Sequence, residues 1–168
     1  KRFSIPYDFL ICNNGAMICD GAECVGFSAM PRDVVLDAIE RVRTLPGAYT
    51  VISARSGAFY EKNSSVEAVR NFNMYCARCT EVPDLAEFAS REPICCAGRA
   101  EQVLMPAFAD FAGRAQFALS GTDWVDLMRT GVSKGGALEE LCGTLGITTA
   151  DCMAFGDYLN DIELLRTA

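Results

Sequence analysis

One stretch near the C-terminal end constrains this chain more than any other: Cys152-Met153-Ala154-Phe155, then Gly156-Asp157-Tyr158-Leu159-Asn160-Asp161. The apolar run predicts a buried strand over residues 151–155, and the glycine breaks it. Carboxylate and carboxamide side chains follow, just before Ile162, Leu164 and Leu165, whose stripe predicts a helix. Where an α/β protein passes from strand to helix, backbone N–H groups and acidic side chains converge, which suits Mg²⁺ and phosphate. Helix capping explains one Asp or Asn at such a start, not three after a glycine. Asp157, Asn160 and Asp161 stand at i, i+3 and i+4 and so face one cleft.

Strand and helix patterns alternate along the rest of the chain, which predicts an α/β or α+β protein. Strands are expected at Tyr7–Cys12, Ala16–Cys19 and Ala22–Phe27, the last two joined by the Asp20-Gly21 turn. Further strands are expected at Ala48–Ala54, Pro93–Ala97, Ala115–Ser120 and the apolar segment Trp124–Met128. Val34, Val35, Ala38, Ile39 and Val42 fall at helical spacing after Pro31. Other helices are expected at Val66–Phe72, Asp84–Ser90, Glu101–Phe111 and Gly135–Gly143, while Gly57–Asn73 otherwise reads as mixed.

Composition removes several function classes. A net charge of −7 with no basic stripe argues against a nucleic-acid partner. No apolar run approaches the roughly 18–20 residues of a membrane span, and Lys1–Pro6 lacks the apolar core of a signal peptide. A cytoplasmic location is therefore expected. Histidine is absent, which excludes histidine triads and histidine zinc sites. Nine cysteines are read mainly as buried reduced thiols. The Cys76-Ala77-Arg78-Cys79 spacing beside Cys95-Cys96 also leaves a four-thiolate zinc site open.

Lys134 lies in a Gly-rich turn, Gly131-Val132-Ser133-Lys134-Gly135-Gly136, that enters a helix. A lysine there can neutralise phosphate or hold a nucleophilic carboxylate ionised. Val132–Leu138 followed by Ala154–Ile162 resembles the third and fourth motifs of haloacid dehalogenase-like phosphatases of the Cof-type branch. Asn13-Asn14-Gly15-Ala16-Met17-Ile18 resembles that branch's Asn-Gly-Ala segment, which precedes its inserted cap.

The resemblance implies an α/β fold: part of a Rossmann-like core of parallel strands and helices, with a large inserted α/β cap. Core segments are expected at 1–22 and 123–168, with the cap at 23–122. It implies a Mg²⁺-dependent phosphomonoester hydrolase acting on a sugar phosphate or related small phosphorylated metabolite. Lys134 would be catalytic, Asp157 and Asp161 would hold the metal, and Asn160 and Asn14 would bind substrate. A phosphomutase, or a non-catalytic binding or assembly module, are the alternatives. Arg55, Arg70, Arg78, Arg91 and Arg99 are candidates for holding an anionic leaving group.

The departure is equally clear. No Asp-x-Asp pair, the family's nucleophile and acid–base motif, occurs in the sequence. Ser53-Ala54-Arg55, a faint echo of the second motif, falls in the cap. The expectation is a fragment, inactive by itself, that either associates with a second copy through an exposed core edge or holds its core segments loosely.

Overall fold

The computed structural model describes residues 6–62, 64–76, 78–98, 104–120 and 124–168. β1 (Phe9–Cys12), β2 (Met17–Asp20) and β3 (Glu23–Phe27) form an antiparallel meander in that order. The Asp20 to Glu23 hairpin closes on Gly21, whose φ is 57°. The expected turn chemistry is therefore present. A register shift between Ile18 and Cys19 bends β2 beside it.

The chain then crosses into a six-stranded sheet. Its strands are β4 (Val51–Ala54), β5 (Gly57–Glu61), β6 (Cys79–Val82), β7 (Ile94–Gly98), β8 (Gln116–Leu119) and β9 (Val125–Met128). They run in the order β6-β5-β4-β7-β9-β8. The β5–β6 pair is parallel and its crossover contains α2 (Val66–Tyr75), whereas the other neighbours are antiparallel. Met30 N–H donates to Ile94 C=O at 2.8 Å, which ties the exit of the small sheet to the large one. The expected boundary at 22–23 lies between the paired strands β2 and β3, and that at 122–123 lies outside the described residues.

Helices form where the apolar period demands. α1 (Arg32–Arg43) buries Val34, Val35, Ala38, Ile39 and Val42, the stripe expected from the sequence. Together with α3 (Leu85–Arg91) it covers one face of the large sheet, against Ile52, Phe59, Ile94 and Leu127. Ser65 and Asp84 cap α2 and α3 by accepting backbone N–H groups. α2 lays Ala68 and Phe72 against Val51 and Ala58. Beyond them come α4 (Leu104–Ala107), α5 (Lys134–Leu145) and α6 (Ile162–Thr167). The part of the expected Glu101–Phe111 helix before residue 104 lies outside the described residues, as does Arg99.

Three local expectations need correction. β5 was hidden in a mixed stretch because its hairpin with β4 turns through Arg55-Ser56 rather than a Gly-Asn or Gly-Asp pair. β6 is a half-exposed edge strand whose Thr80 and Glu81 dilute any apolar signal. The strand expected over 151–155 does not form: a single 3-10 turn at Thr149–Asp151 is followed by unpaired chain. No described strand lies beside it to share a ladder, and Met153 and Phe155 are each 82% exposed.

That contrast sets a stability test. Phe111, fully buried at the α1 face, should cost about 3–5 kcal/mol on truncation to alanine. Phe155→Ala should fall within about 0.5 kcal/mol of wild type. Urea unfolding of the two variants reads the difference, and equal losses would contradict this packing.

Candidate functional site

The site begins with an unusual turn. Asn13 and Asn14 adopt φ of 50° and 54°, followed by Gly15 at 98°. Left-handed backbone is tolerated by asparagine and natural to glycine. The turn folds the Asn14 side chain inward, leaving it 9% exposed. A Cβ on Gly15 would stand 2.1 Å from the Ser133 carbonyl oxygen, so only glycine lets this turn touch the start of α5. Ser133 caps that helix by accepting from Gly136 N–H at 3.0 Å, and Lys134 is its first residue.

Lys134 Nζ donates to Asp161 Oδ1 at 2.5 Å. The other carboxylate oxygen, Asp161 Oδ2, accepts from Asp157 N–H at 3.1 Å and Tyr158 N–H at 3.4 Å. Asp161 is buried, and a Cβ on Gly156 would lie 2.4 Å from its Cβ. The glycine of the motif thus makes room for the carboxylate that closes the loop. The Lys134 hydrogen bond above all, helped by the two backbone N–H groups, holds the Asp161 carboxyl below the usual carboxylate range against the opposing effect of burial. Asp157 stays exposed to solvent at the mouth of the loop.

Asn14 and Asn160 meet beside this pair. Asn160 Nδ2 donates to Asn14 Oδ1 at 2.9 Å and to Ser120 Oγ at 3.3 Å. Asn14 Nδ2 donates to Asp126 Oδ2 at 2.6 Å and to Ser120 Oγ at 3.1 Å. Lys134, Asn160, Asn14 and Asp126 line a common cavity of about 260 Å³. The structure therefore gathers Asn14, Lys134, Asn160 and Asp161, with Asp157 at the edge. It adds Ser120 and Asp126, which the sequence reading passed over. The available signal was a lone Asp in the run Val125-Asp126-Leu127-Met128, every residue of which is buried.

The remaining candidates scatter. Among the described residues no group of three or more Cys, Asp or Glu side chains is placed to share an ion, so Cys76, Cys79, Cys95 and Cys96 form no four-thiolate site. Burial pushes the Cys76 and Cys95 thiols up to about 12 and disfavours the ligating thiolate. Arg55 stacks on Phe27, Arg91 pairs with Glu87, and Arg70 and Arg78 are exposed; none lines the cavity.

The family model of haloacid dehalogenase-like hydrolases matches residues 2–168. The chain belongs to that family. An HMP-PP phosphatase of Yersinia pseudotuberculosis is 30% identical over 163 residues, covering 94% of this chain and 59% of the relative. The chain thus spans well under two thirds of that relative's length. Among solved structures, a protein from Eubacterium rectale is 26% identical with a TM-score of 0.78, over 95% of this chain and 63% of its own. A sugar phosphatase of HAD subclass IIB shares the fold with a TM-score of 0.81 at 21% identity, over 96% and 62%. The α/β fold expected from the motifs is the fold of these hydrolases.

Two outcomes follow from this geometry. Gly15→Ala, strained in φ and in contact with Ser133, should destabilise by more than about 2 kcal/mol, read by urea unfolding. Asp161→Asn should cost on the order of 2 kcal/mol near neutrality, since it strands the Lys134 ammonium. A depressed carboxyl stabilises fully above its unfolded value near about 4 and loses that contribution as pH falls through its lower folded value. The deficit of the variant should therefore shrink as the pH falls below the ordinary carboxylate value of about 4 and through the lower folded value of Asp161. A deficit unchanged from pH 7 to the acid limit would contradict the ion pair.

Proposed function

We propose that this chain supplies the lysine, the metal-binding carboxylates and the cap of a Mg²⁺-dependent phosphomonoester hydrolase acting on a small phosphorylated metabolite. The observation that carries the reading is the Lys134–Asp161 pair, held by the Gly156 loop and facing Asn14 and Asn160 across one cavity. The names of the relatives, an HMP-PP phosphatase and a sugar phosphatase, support the same class.

The donor set fits a hard cation. Asp157 offers an exposed carboxylate, and Asp161 stands behind it with both oxygens engaged. Asp157 would therefore hold Mg²⁺ directly, and Asp161 would act on the ion through water or through the loop it fixes. When bound, the ion supplies positive charge to a transferring phosphoryl group. Lys134 adds a second positive charge and is aimed by its hydrogen bond to Asp161. Asn14 and Asn160 fix the position of the ester within the cavity. The attacking carboxylate is no residue of this sequence, since none of its aspartates has an Asp-x-Asp partner. Within this reading the cap runs from the end of β3 to the end of β9, where the chain changes sheets.

The test is hydrolysis of an aryl phosphate, with and without Mg²⁺. It compares this chain with a polypeptide in which an Asp-x-Asp segment precedes Tyr7. The longer polypeptide should hydrolyse the ester only with Mg²⁺, and Lys134→Ala or Asp157→Ala should each lower kcat/KM by about a hundredfold or more. No hydrolysis by the longer polypeptide would favour a binding or assembly module instead.

A further inference from the structure

Asp126 is a carboxylate in a strand whose every residue is buried, and it is itself only 8% exposed. Such a group is costly to remove from water unless donors surround it. Asn14 Nδ2 and Ser120 Oγ each donate to Oδ2 at 2.6 Å. Trp124 Nε1 donates to Oδ1 at 2.7 Å, and the Cys96 thiol lies 3.5 Å from the same oxygen. None of these donors is a cation. The carboxyl group sits among these neutral donors, at the wall of the cavity that Lys134 and Asn160 also line.

The neighbouring backbone keeps this wall open. A Cβ on Gly98 would stand 2.8 Å from Asp126 Oδ1 and 3.1 Å from the Trp124 ring. The glycine in β7 leaves a shelf on which the carboxylate and the indole lie side by side. A thiol is a weak donor, so the Cys96 contact is the easiest one at Oδ1 for an incoming N–H or O–H to replace. Among the described residues the only cation lining the cavity is Lys134, already bound to Asp161. A second anion on the leaving group would meet Asp126 with no further cation among the described lining residues to offset it.

We infer that Asp126, with Trp124 over Gly98, is the specificity-determining residue of this cavity, selecting leaving groups that present an amino or hydroxyl donor and rejecting those with a second anion. The inference rests on the phosphatase reading and assigns the wall of the cavity formed by Asp126 and Trp124. It also places leaving-group recognition on an acid, where the sequence pointed to arginines.

Trp124 is the one tryptophan of the sequence, so its fluorescence reports this pocket without any turnover. The probes are glucosamine 6-phosphate, glucose 6-phosphate, 6-phosphogluconate and inorganic phosphate, titrated into this chain in Mg²⁺ buffer at neutral pH with calorimetry alongside. Glucosamine 6-phosphate and glucose 6-phosphate should bind about tenfold more tightly than 6-phosphogluconate, which adds a second anion to its hydroxyl donors, and Asp126→Asn should reduce that ratio to below about twofold. Equal or tighter binding of 6-phosphogluconate, with all probes bound, overturns the role of Asp126. Failure of every probe to bind, inorganic phosphate included, overturns the phosphate-site reading beneath it. Should Asp126→Asn not fold, the ranking in the unaltered chain decides, because it needs no variant.

Discussion

The geometry of this site depends on where one carboxylate sits. Asp161 ties together two parts of the chain where α5 packs on α6: the first residue of α5 and the loop after Gly156. Its two oxygens perform separate tasks. One holds the Lys134 ammonium, and the other gathers successive backbone N–H groups, as a capping side chain does. Removing the charge would leave both an ammonium and a turn without their partner. The same engagement leaves the neighbouring Asp157 as the exposed carboxylate of the motif. A division of labour between two acids thus follows from burial alone.

The second constraint is steric. The left-handed Asn13-Asn14-Gly15 turn places a buried amide against residues more than a hundred positions away in the chain, Ser120, Asp126 and Asn160. Local contacts supply little of this arrangement, because backbone strain at Asn13 and Asn14 opposes it. It persists because Gly15 allows close approach to Ser133 and because the polar groups satisfy one another in a poorly solvated space. Such a network is rigid only when all its members are in place. Losing Asp126 would free Asn14 to rotate, and Asn160 would then lose its acceptor.

How much of this was legible in the sequence depended on whether a signal was periodic, local or relational. α1 was readable because Val34, Val35, Ala38, Ile39 and Val42 repeat with the helical period, and its burial follows them. Lys134, Asp157, Asn160 and Asp161 were readable because glycine-bounded turns carry chemistry at fixed spacing. Cys152–Phe155 looked like a strand by composition, but a strand also needs a neighbour, which composition does not supply. β6 failed for the opposite reason, since an edge strand half open to water has no apolar alternation to detect. Asp126 was missed because its meaning is relational: only the approach of Asn14, Ser120 and Trp124 turns a lone acid in an apolar run into part of a site.

Electrostatics gives the assembled cleft its character. Asp126 lies at its wall, and among the described residues Lys134, paired with Asp161, is the cation there. A phosphate dianion entering that space meets the Asp126 carboxyl group and a lysine already paired with Asp161. At about 4 Å and an effective dielectric constant near 20, each uncompensated like-charge contact costs about 4 kcal/mol. That penalty would abolish useful affinity unless positive charge entered with the phosphate. On the phosphatase reading, a divalent cation held by Asp157 would supply that charge, and Asp126 would meet the leaving group. The cleft would then draw the phosphoryl group toward Lys134 and a hydrogen-bond donor toward Asp126. Orientation of the ester is then set by the field before any shape is matched.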